Sequence, residues 1–381
     1  MITQLQLKNF TAFTELAIDF SPGINIIIGE NGTGKTQLLK AIRALSGAWA
    51  HGENADEQLA QKLCRLYLPL SEKVGGLRRS GSRRKALLSA NFNSGRDVTA
   101  AFGGSDTAVR ITSNGNITPA EALFIPTKEV LSLARGLNSG KADDETINLI
   151  FDDSYIDLAK LLFNRVEGNL SKRIQEDPRL SSIVPRITKL IGGRYILKKG
   201  HICFQAGQYE EKVGQSVQNE ETSAQVFKSS KIQFTPSESA LVSSAMTAEG
   251  FRKIGMLQRL LSNGSLNPGT TGPLLWDEPE SNLNPKLMRD LVQALLELAR
   301  NGQQVILATH DYVLLKWFDL LMDKGKGDQV RFHVLSRDAD TGQVRRDSMD
   351  DYRAIEPNAI AETFNELTKE QVARKMGGLG K

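Results

Sequence analysis

The chain has 381 residues, a formal net charge of +4, 40% hydrophobic and 24% charged residues, which suits a globular protein with a sizeable core and room for a second subdomain. Its opening residues lack a basic flank followed by a long apolar run, and no stretch approaches a transmembrane span, so a cytoplasmic protein without membrane contact is expected. Cys64 and Cys203 stand far apart without metal-ligand spacing, which argues against a disulfide framework and against a zinc site.

Residues 24–28, Ile-Asn-Ile-Ile-Ile, form a β-branched run of buried-strand type, and residues 37–45 carry helical apolar spacing. Between them Gly29-Glu30-Asn31-Gly32-Thr33-Gly34-Lys35-Thr36 satisfies the phosphate-loop pattern G-x-x-x-x-G-K-[ST]. Glycines let successive backbone N–H groups converge on phosphate oxygens, and the helix N-terminus adds the positive end of its dipole. On this reading Asn31, Gly32, Thr33 and Gly34 cradle ATP, Lys35 reaches its β- and γ-phosphates, and the Thr36 hydroxyl holds Mg²⁺.

Farther along, Arg78, Arg79, Arg83, Arg84 and Lys85 surround Ser80-Gly81-Ser82. Such a loop can lie along phosphates, which makes DNA or RNA a candidate partner; equally, charges in glycine-serine loops are often solvated surface, and no aromatic residues interleave to stack bases. Residues 87–111 alternate in short strands broken by Asn93-Ser94-Gly95 and Gly103-Gly104, predicting an antiparallel sheet. Residues 122–126 read as a strand. Residues 137–190 read mainly as helices, with Ile147, Leu149, Ile150, Ile156, Leu158, Leu161 and Leu162 on apolar faces. A hairpin is expected around Lys199-Gly200, and residues 208–230 are polar and expected to form a mobile loop.

The second chemical signal is Pro273-Leu274-Leu275-Trp276-Asp277-Glu278-Pro279-Glu280, an apolar strand ending in adjacent carboxylates. Side chains alternate at a strand tip, so the two acids take different tasks. Asp277 is placed to bind Mg²⁺ and Glu278 to polarise the water that attacks the γ-phosphate. Ser281-Asn282-Leu283-Asn284-Pro285 leads into a helix over residues 286–300 with Gly302 near its C-terminal cap, and residues 304–308 form another buried strand ending at Thr309-His310-Asp311. His310 is placed to contact the γ-phosphate.

These motifs together resemble the ABC-type ATPase heads of the SMC, RecF and OLD group, and especially the compact bacterial ATPases of anti-phage systems. The resemblance implies an α/β P-loop NTPase of ABC-ATPase type, with a mixed sheet core, an antiparallel β subdomain and a helical insertion. It makes Asp277 and Glu278 the Walker B pair, residues 281–285 the D-loop and His310 the switch histidine. Leu5-Gln6-Leu7-Lys8-Asn9-Phe10 and Phe20-Ser21-Pro22-Gly23 resemble the group's opening hairpin. Met246-Thr247-Ala248-Glu249-Gly250-Phe251-Arg252-Lys253 stands where the signature motif belongs, with Gly250 completing a partner's ATP site; the usual serine two residues before the glycine is Ala248 here, leaving Thr247 as a substitute hydroxyl. An ordinary helix start is the competing reading. In the loop where a glutamine is expected stand Thr127-Lys128-Glu129, so either Lys128 or Glu129 takes that role or both simply open the next helix.

The implied organisation is an N-terminal half-head over residues 1–136, a helical and hairpin insertion over 137–230 and a C-terminal half-head over 231–381. No sustained heptads join the halves, which sets the chain nearer the RecF and OLD type than the cohesin type. Asp338-Ala339-Asp340 formally matches the D-x-D of a Toprim nuclease, but its flanks read as a hairpin and too few residues follow His310 for that extra domain. The expected function is ATP hydrolysis by an ATP-dependent head-to-tail homodimer or higher homo-oligomer that controls a separate effector, such as a nuclease or toxin, in anti-phage defence. A RecF-like DNA clamp and a slowly hydrolysing nucleotide-gated scaffold are the alternatives.

Overall fold

A computed structural model describes residues 1–47, 54–115, 120–137, 143–165, 170–213, 230–355 and 359–375. The chain opens with strands β1 (Ile2–Phe10), β2 (Phe13–Asp19) and β3 (Ile24–Gly29), helices α1 (Lys35–Leu45) and α2 (Ala55–Tyr67), and strands β4 (Ala86–Phe92), β5 (Asp97–Phe102), β6 (Arg110–Asn114) and β7 (Leu123–Ile125). Helices α3 (Ala134–Leu137), α4 (Asp144–Ile150), α5 (Asp153–Phe163), α6 (Leu170–Glu176) and α7 (Pro178–Ile191) follow, then β8 (Gly193–Lys198), β9 (His201–Val213) and β10 (Ser230–Ser243). The remainder is α8 (Glu249–Ser262), β11 (Leu274–Asp277), α9 (Pro285–Arg300), β12 (Val305–Thr309), α10 (Tyr312–Leu321), β13 (Val330–Arg337), β14 (Val344–Met349) and α11 (Ala359–Lys375).

These elements form two compact units, one of Met1–Lys128, Asp143–Leu158 and Pro268–Lys381, the other of Glu129–Ala142 and Ala159–Asn267. Residues 231–267, assigned from sequence to the C-terminal half-head, therefore group with the second unit. The reason is pairing: β10 runs antiparallel along β9, from Ser230 opposite Val213 to Ser243 opposite Cys203.

In the first unit a six-stranded sheet has the order β14-β13-β3-β12-β11-β7, parallel throughout except for the antiparallel edge strand β14. Every residue of β3, β11 and β12 is buried, which explains why they read as near-continuous apolar runs. Register does the rest. Thr309 lies opposite Ile28, Asp277 opposite Ala308 and Trp276 opposite Ile125, so the carboxyl ends of four strands meet at one edge, where α/β sheets place their ligands. The second sheet of this unit, β2-β1-β4-β5-β6, is antiparallel, as residues 87–111 predict, and alternates: Ala86, Leu88, Ala90 and Phe92 of β4 point inward. Leu38, Leu39, Ile42 and Leu45 of α1 share one apolar core with Leu7, Phe10 and Leu88 of that sheet and with Leu275 and Ile306 of the parallel one. Each such aliphatic side chain contributes roughly 1.5–3 kcal/mol by leaving water, and together they clamp the loop ahead of α1.

The second unit contains the sheet β10-β9-β8. Its β8–β9 hairpin turns at Lys199 and Gly200 with φ of 50° and 76°, the left-handed pair of a tight two-residue turn and the hairpin expected from sequence. The Gln258 amide donates to the Thr188 hydroxyl and the Gly193 carbonyl, while its oxygen accepts from Tyr195 N–H, tying α8 to α7 and β8. Two expectations need correction. Residues 208–213 form strand rather than loop, because their backbone pairs with β10 from Gln208 opposite Thr235 to Val213 opposite Ser230, and Tyr209 packs on Phe234 across the ribbon; residues 214–229 lie outside the described residues. Leu149 and Ile150 do not face a core: they are 79% and 65% exposed on the short helix α4. Among the described residues no helix is long and apolar enough to cross a membrane.

Candidate active site

The loop from β3 to α1 encloses its own lysine. Gly34 caps α1 at φ 94°, a left-handed conformation that glycine adopts without steric cost. The first turn beyond it carries N–H groups that no intrahelical carbonyl can reach. Thr33 is buried and its hydroxyl donates to Glu30 O at 2.8 Å, so its side chain braces the loop. Asn31, Gly32 and Thr36 are exposed. The Lys35 ammonium donates to the carbonyls of Gly29 at 2.6 Å and Glu30 at 3.1 Å. Burial pushes its pKa down, while Glu278, Asp277 and Glu280 push the other way.

Asp277 Oδ2 accepts two hydroxyls, Thr36 Oγ1 and Thr127 Oγ1, each at 2.8 Å. Burial raises this carboxyl above its ordinary range, and the two hydroxyl bonds oppose that shift. A hydroxyl beside one carboxylate, with phosphate and water as further ligands, is a hard-oxygen donor set that suits Mg²⁺. Of the three residues in the loop where sequence reading offered Lys128 or Glu129, Thr127 is the one bonded to Asp277. Lys128 is exposed, and within the second unit Glu129 pairs with Arg252 at 2.8 Å and accepts from Ser132 N–H at 3.1 Å. The Thr127 carbonyl also accepts from Ser281 Oγ at 3.1 Å, linking this loop to the one that follows β11.

Glu278 adopts φ 46°, a region costing an L-residue roughly 1–2 kcal/mol. Its N–H donates to Ala308 O at 2.8 Å, and its carboxylate lies 3.0 Å from His310 Nδ1. Strain held at such a point indicates a side chain aimed by its surroundings. Beyond it, Glu280 is buried and accepts the Thr309 hydroxyl at 2.6 Å; burial pushes its pKa up to about 7, against that hydrogen bond. Sequence reading quoted Glu280 only as the end of its motif. Arg337 of β13, which it missed altogether, donates to the Gly32 carbonyl. No local pattern marks Arg337; it arrives through the β13–β3 pairing.

Lys35, Thr36, Asp277, Glu278 and His310 thus converge in the first unit, whereas Gly250 belongs to the second, as the half-buried second residue of α8. Ala248 caps that helix without a side-chain hydrogen bond. Thr247, offered from sequence as a substitute hydroxyl, engages that hydroxyl with both Tyr195 Oη and Ser244 O at 2.7 Å. The basic loop is also partly committed. Arg79 donates to Ala12 O at 2.6 Å and Arg78 N–H to Gly75 O at 3.2 Å, both residues being half-buried, while Arg83, Arg84 and Lys85 are exposed. Asp338 and Asp340 lie in the β13–β14 turn, where Asp338 accepts Thr341 N–H at 2.9 Å and pairs with Arg345 at 2.6 Å.

The family model described as "AAA domain" matches residues 4–220, and one described as "AAA domain, putative AbiEii toxin, Type IV TA system" matches residues 148–316. The chain is 44% identical over 69 residues to the DNA replication and repair protein RecF of Limosilactobacillus fermentum, covering 17% of this chain and 18% of that protein. Against the Bacillus mycoides protein of the same name it is 34% identical over 92 residues, 24% and 22% of the two chains. The chain thus spans about a fifth of the length of the curated relatives it matches. Among solved structures, the Smc head domain with an extended coiled coil, from Pyrococcus furiosus and bound to the C-terminal domain of ScpA, superposes with a TM-score of 0.50 at 13% identity, over 97% and 99% of the chains, a likeness of fold. With an α/β P-loop fold like that of the Smc head and a family match over more than half its length, the chain belongs to the AAA-domain family.

Proposed function

We propose that the chain is a Mg²⁺-dependent ATPase that closes as a head-to-tail homodimer over ATP and uses closure to control a separate effector. The observation that carries the reading is the convergence, at one sheet edge, of the Lys35 ammonium, the Thr36–Asp277 bond and the Glu278–His310 pair. Lys35 exchanges the loop carbonyls for β- and γ-phosphate oxygens. Thr36 and Asp277 would hold Mg²⁺, which when bound neutralises charge on those phosphates. Glu278 orients the attacking water and accepts its proton; His310, set against Glu278, contacts the γ-phosphate. Gly250 meets a partner's nucleotide through the backbone at the start of α8, since neither Ala248 nor Thr247 offers a free hydroxyl. ATP binding and association are then thermodynamically linked.

Lys35→Ala abolishes ATP binding on this reading. Glu278→Gln retains ATP, loses turnover and accumulates the closed assembly. Calorimetry and phosphate release separate the two, and wild-type turnover in both removes the ATPase reading. Gly250→Asp leaves a monomer that still binds ATP; unaltered ATP-driven association in sedimentation would move the interface elsewhere.

The effector reading draws on the resemblance to anti-phage ATPases, on the toxin-system description of the second family model and on the Smc head's complex with a separate protein. Pull-down with the products of neighbouring genes tests it. A DNA clamp is the second reading, favoured by the curated relatives' name and by the exposed Arg83, Arg84 and Lys85.

A further inference from the structure

Glu280 is 6% exposed, and its Oε1 accepts the Thr309 hydroxyl at 2.6 Å. That same hydroxyl oxygen accepts the backbone N–H of Asp311 at 3.0 Å. The two bonds bracket His310: the residue before it and the residue after it are tied through one hydroxyl to one carboxyl. Asp311 in turn caps α10, accepting Leu314 N–H at 2.7 Å, so the strand-to-helix turn that presents His310 is anchored on both sides. His310 itself is half-exposed at its side chain, and its ring is not held by packing alone. The second carboxyl oxygen of Glu280, Oε2, is buried and has no hydrogen-bond partner among the described residues. An apolar residue would avoid that penalty, and a buried carboxyl kept at such cost beside a reactive cluster marks a working part.

We propose that Glu280 is a positioning residue for hydrolysis, holding the His310 turn through Thr309 so that the imidazole stands against Glu278. The inference rests on the ATPase reading above. It joins the loop after β11 to the end of β12 by a single side chain, so Glu278 and the histidine it faces are presented as one unit.

The test uses steady-state ATP hydrolysis by the full chain, with affinity measured separately by a fluorescent ATP analogue. Glu280→Ala removes the acceptor and is expected to lower kcat on the order of tenfold with ATP affinity within about twofold, because Lys35, Thr36 and Asp277 are untouched. Thr309→Val keeps the shape without the hydroxyl and reproduces the fall, and the double variant falls no further than either single one. Glu280→Gln keeps an oxygen facing Thr309 and returns kcat to within about threefold of wild type. Wild-type kcat in Glu280→Ala or Thr309→Val, multiplicative losses in the double variant, an equal loss of ATP affinity, or no rescue by Glu280→Gln overturns the assignment. If Glu280→Ala does not fold, Thr309→Val and Glu280→Gln decide the matter by the same criteria. A wild-type chain without ATPase activity overturns the functional reading itself, before any variant is compared.

Discussion

Replacing Gly34 by alanine probes how the phosphate loop is built. An ideal Cβ there would sit 2.6 Å from Cζ and 3.2 Å from Cε1 of Phe13, a fully buried ring, and 3.4 Å from Ala12 Cβ. The backbone at φ 94° costs an L-residue roughly 1–2 kcal/mol. Overpacking against a ring that cannot retreat adds roughly 1–3 kcal/mol. Gly34→Ala is thus expected to destabilise by about 2–5 kcal/mol, a large part of a typical domain's stability. Any shift that relieves the clash moves Lys35, the next residue, away from the carbonyls of Gly29 and Glu30, so ATP affinity falls with stability. Urea denaturation and nucleotide titration measure the two effects. In a Phe13→Leu background the smaller side chain removes the clash but not the backbone cost, so Gly34→Ala there is expected to cost at least about 1 kcal/mol less. Stability within about 0.5 kcal/mol of wild type, with unchanged ATP affinity, would refute the reasoning.

Thr36→Val and Thr127→Val each remove one of the two hydroxyls on Asp277, so both are expected to weaken Mg²⁺-supported turnover, Thr36→Val more strongly; a Mg²⁺ titration of phosphate release checks the order. His333 is buried between Ser348 at 2.7 Å and Asn25 at 3.3 Å, and burial first, then Arg346 and Arg331, lowers its pKa from 6.5 to about 3. A folded value below the unfolded one stabilises above pH 6.5 and is lost as pH falls toward 3, so wild type should lose up to about 1.4 kcal/mol per pH unit more than His333→Gln between those limits; parallel denaturation curves would contradict this. Arg83→Ser with Arg84→Ser is expected to leave ATP hydrolysis unchanged, whereas Arg79→Ser lowers stability because its guanidinium holds the Ala12 carbonyl. Tight, ATP-stimulated duplex binding in fluorescence anisotropy that vanishes in the double variant would favour the clamp reading.

Much of the site was legible because its parts are local. A β-branched strand, glycines at defined offsets and an apolar helix face announce a phosphate loop within some twenty residues, since backbone geometry and amphipathic period act over that range. The strand ending in Asp277 and Glu278, the hairpin at Lys199-Gly200 and the antiparallel run after residue 86 were legible for the same reason. Thr127 was within the right loop, but which of its three residues meets Asp277, 150 residues away in sequence, depends on the register of β7 against β11. The pairing of Glu280 with Thr309, the withdrawal of Thr247 into a bond with Tyr195 and the anchoring of Arg79 on Ala12 are likewise products of chain segments brought together from afar. The grouping of residues 231–267 with the second unit follows from a polar ribbon whose individual residues favour a loop until a partner strand satisfies their backbone. Sequence by itself determined the chemistry on offer, because motifs encode residue type and local backbone. Only the tertiary structure decided which hydroxyl faces which carboxylate, because hydrogen-bond partners are chosen by register and packing over distances that no local pattern records.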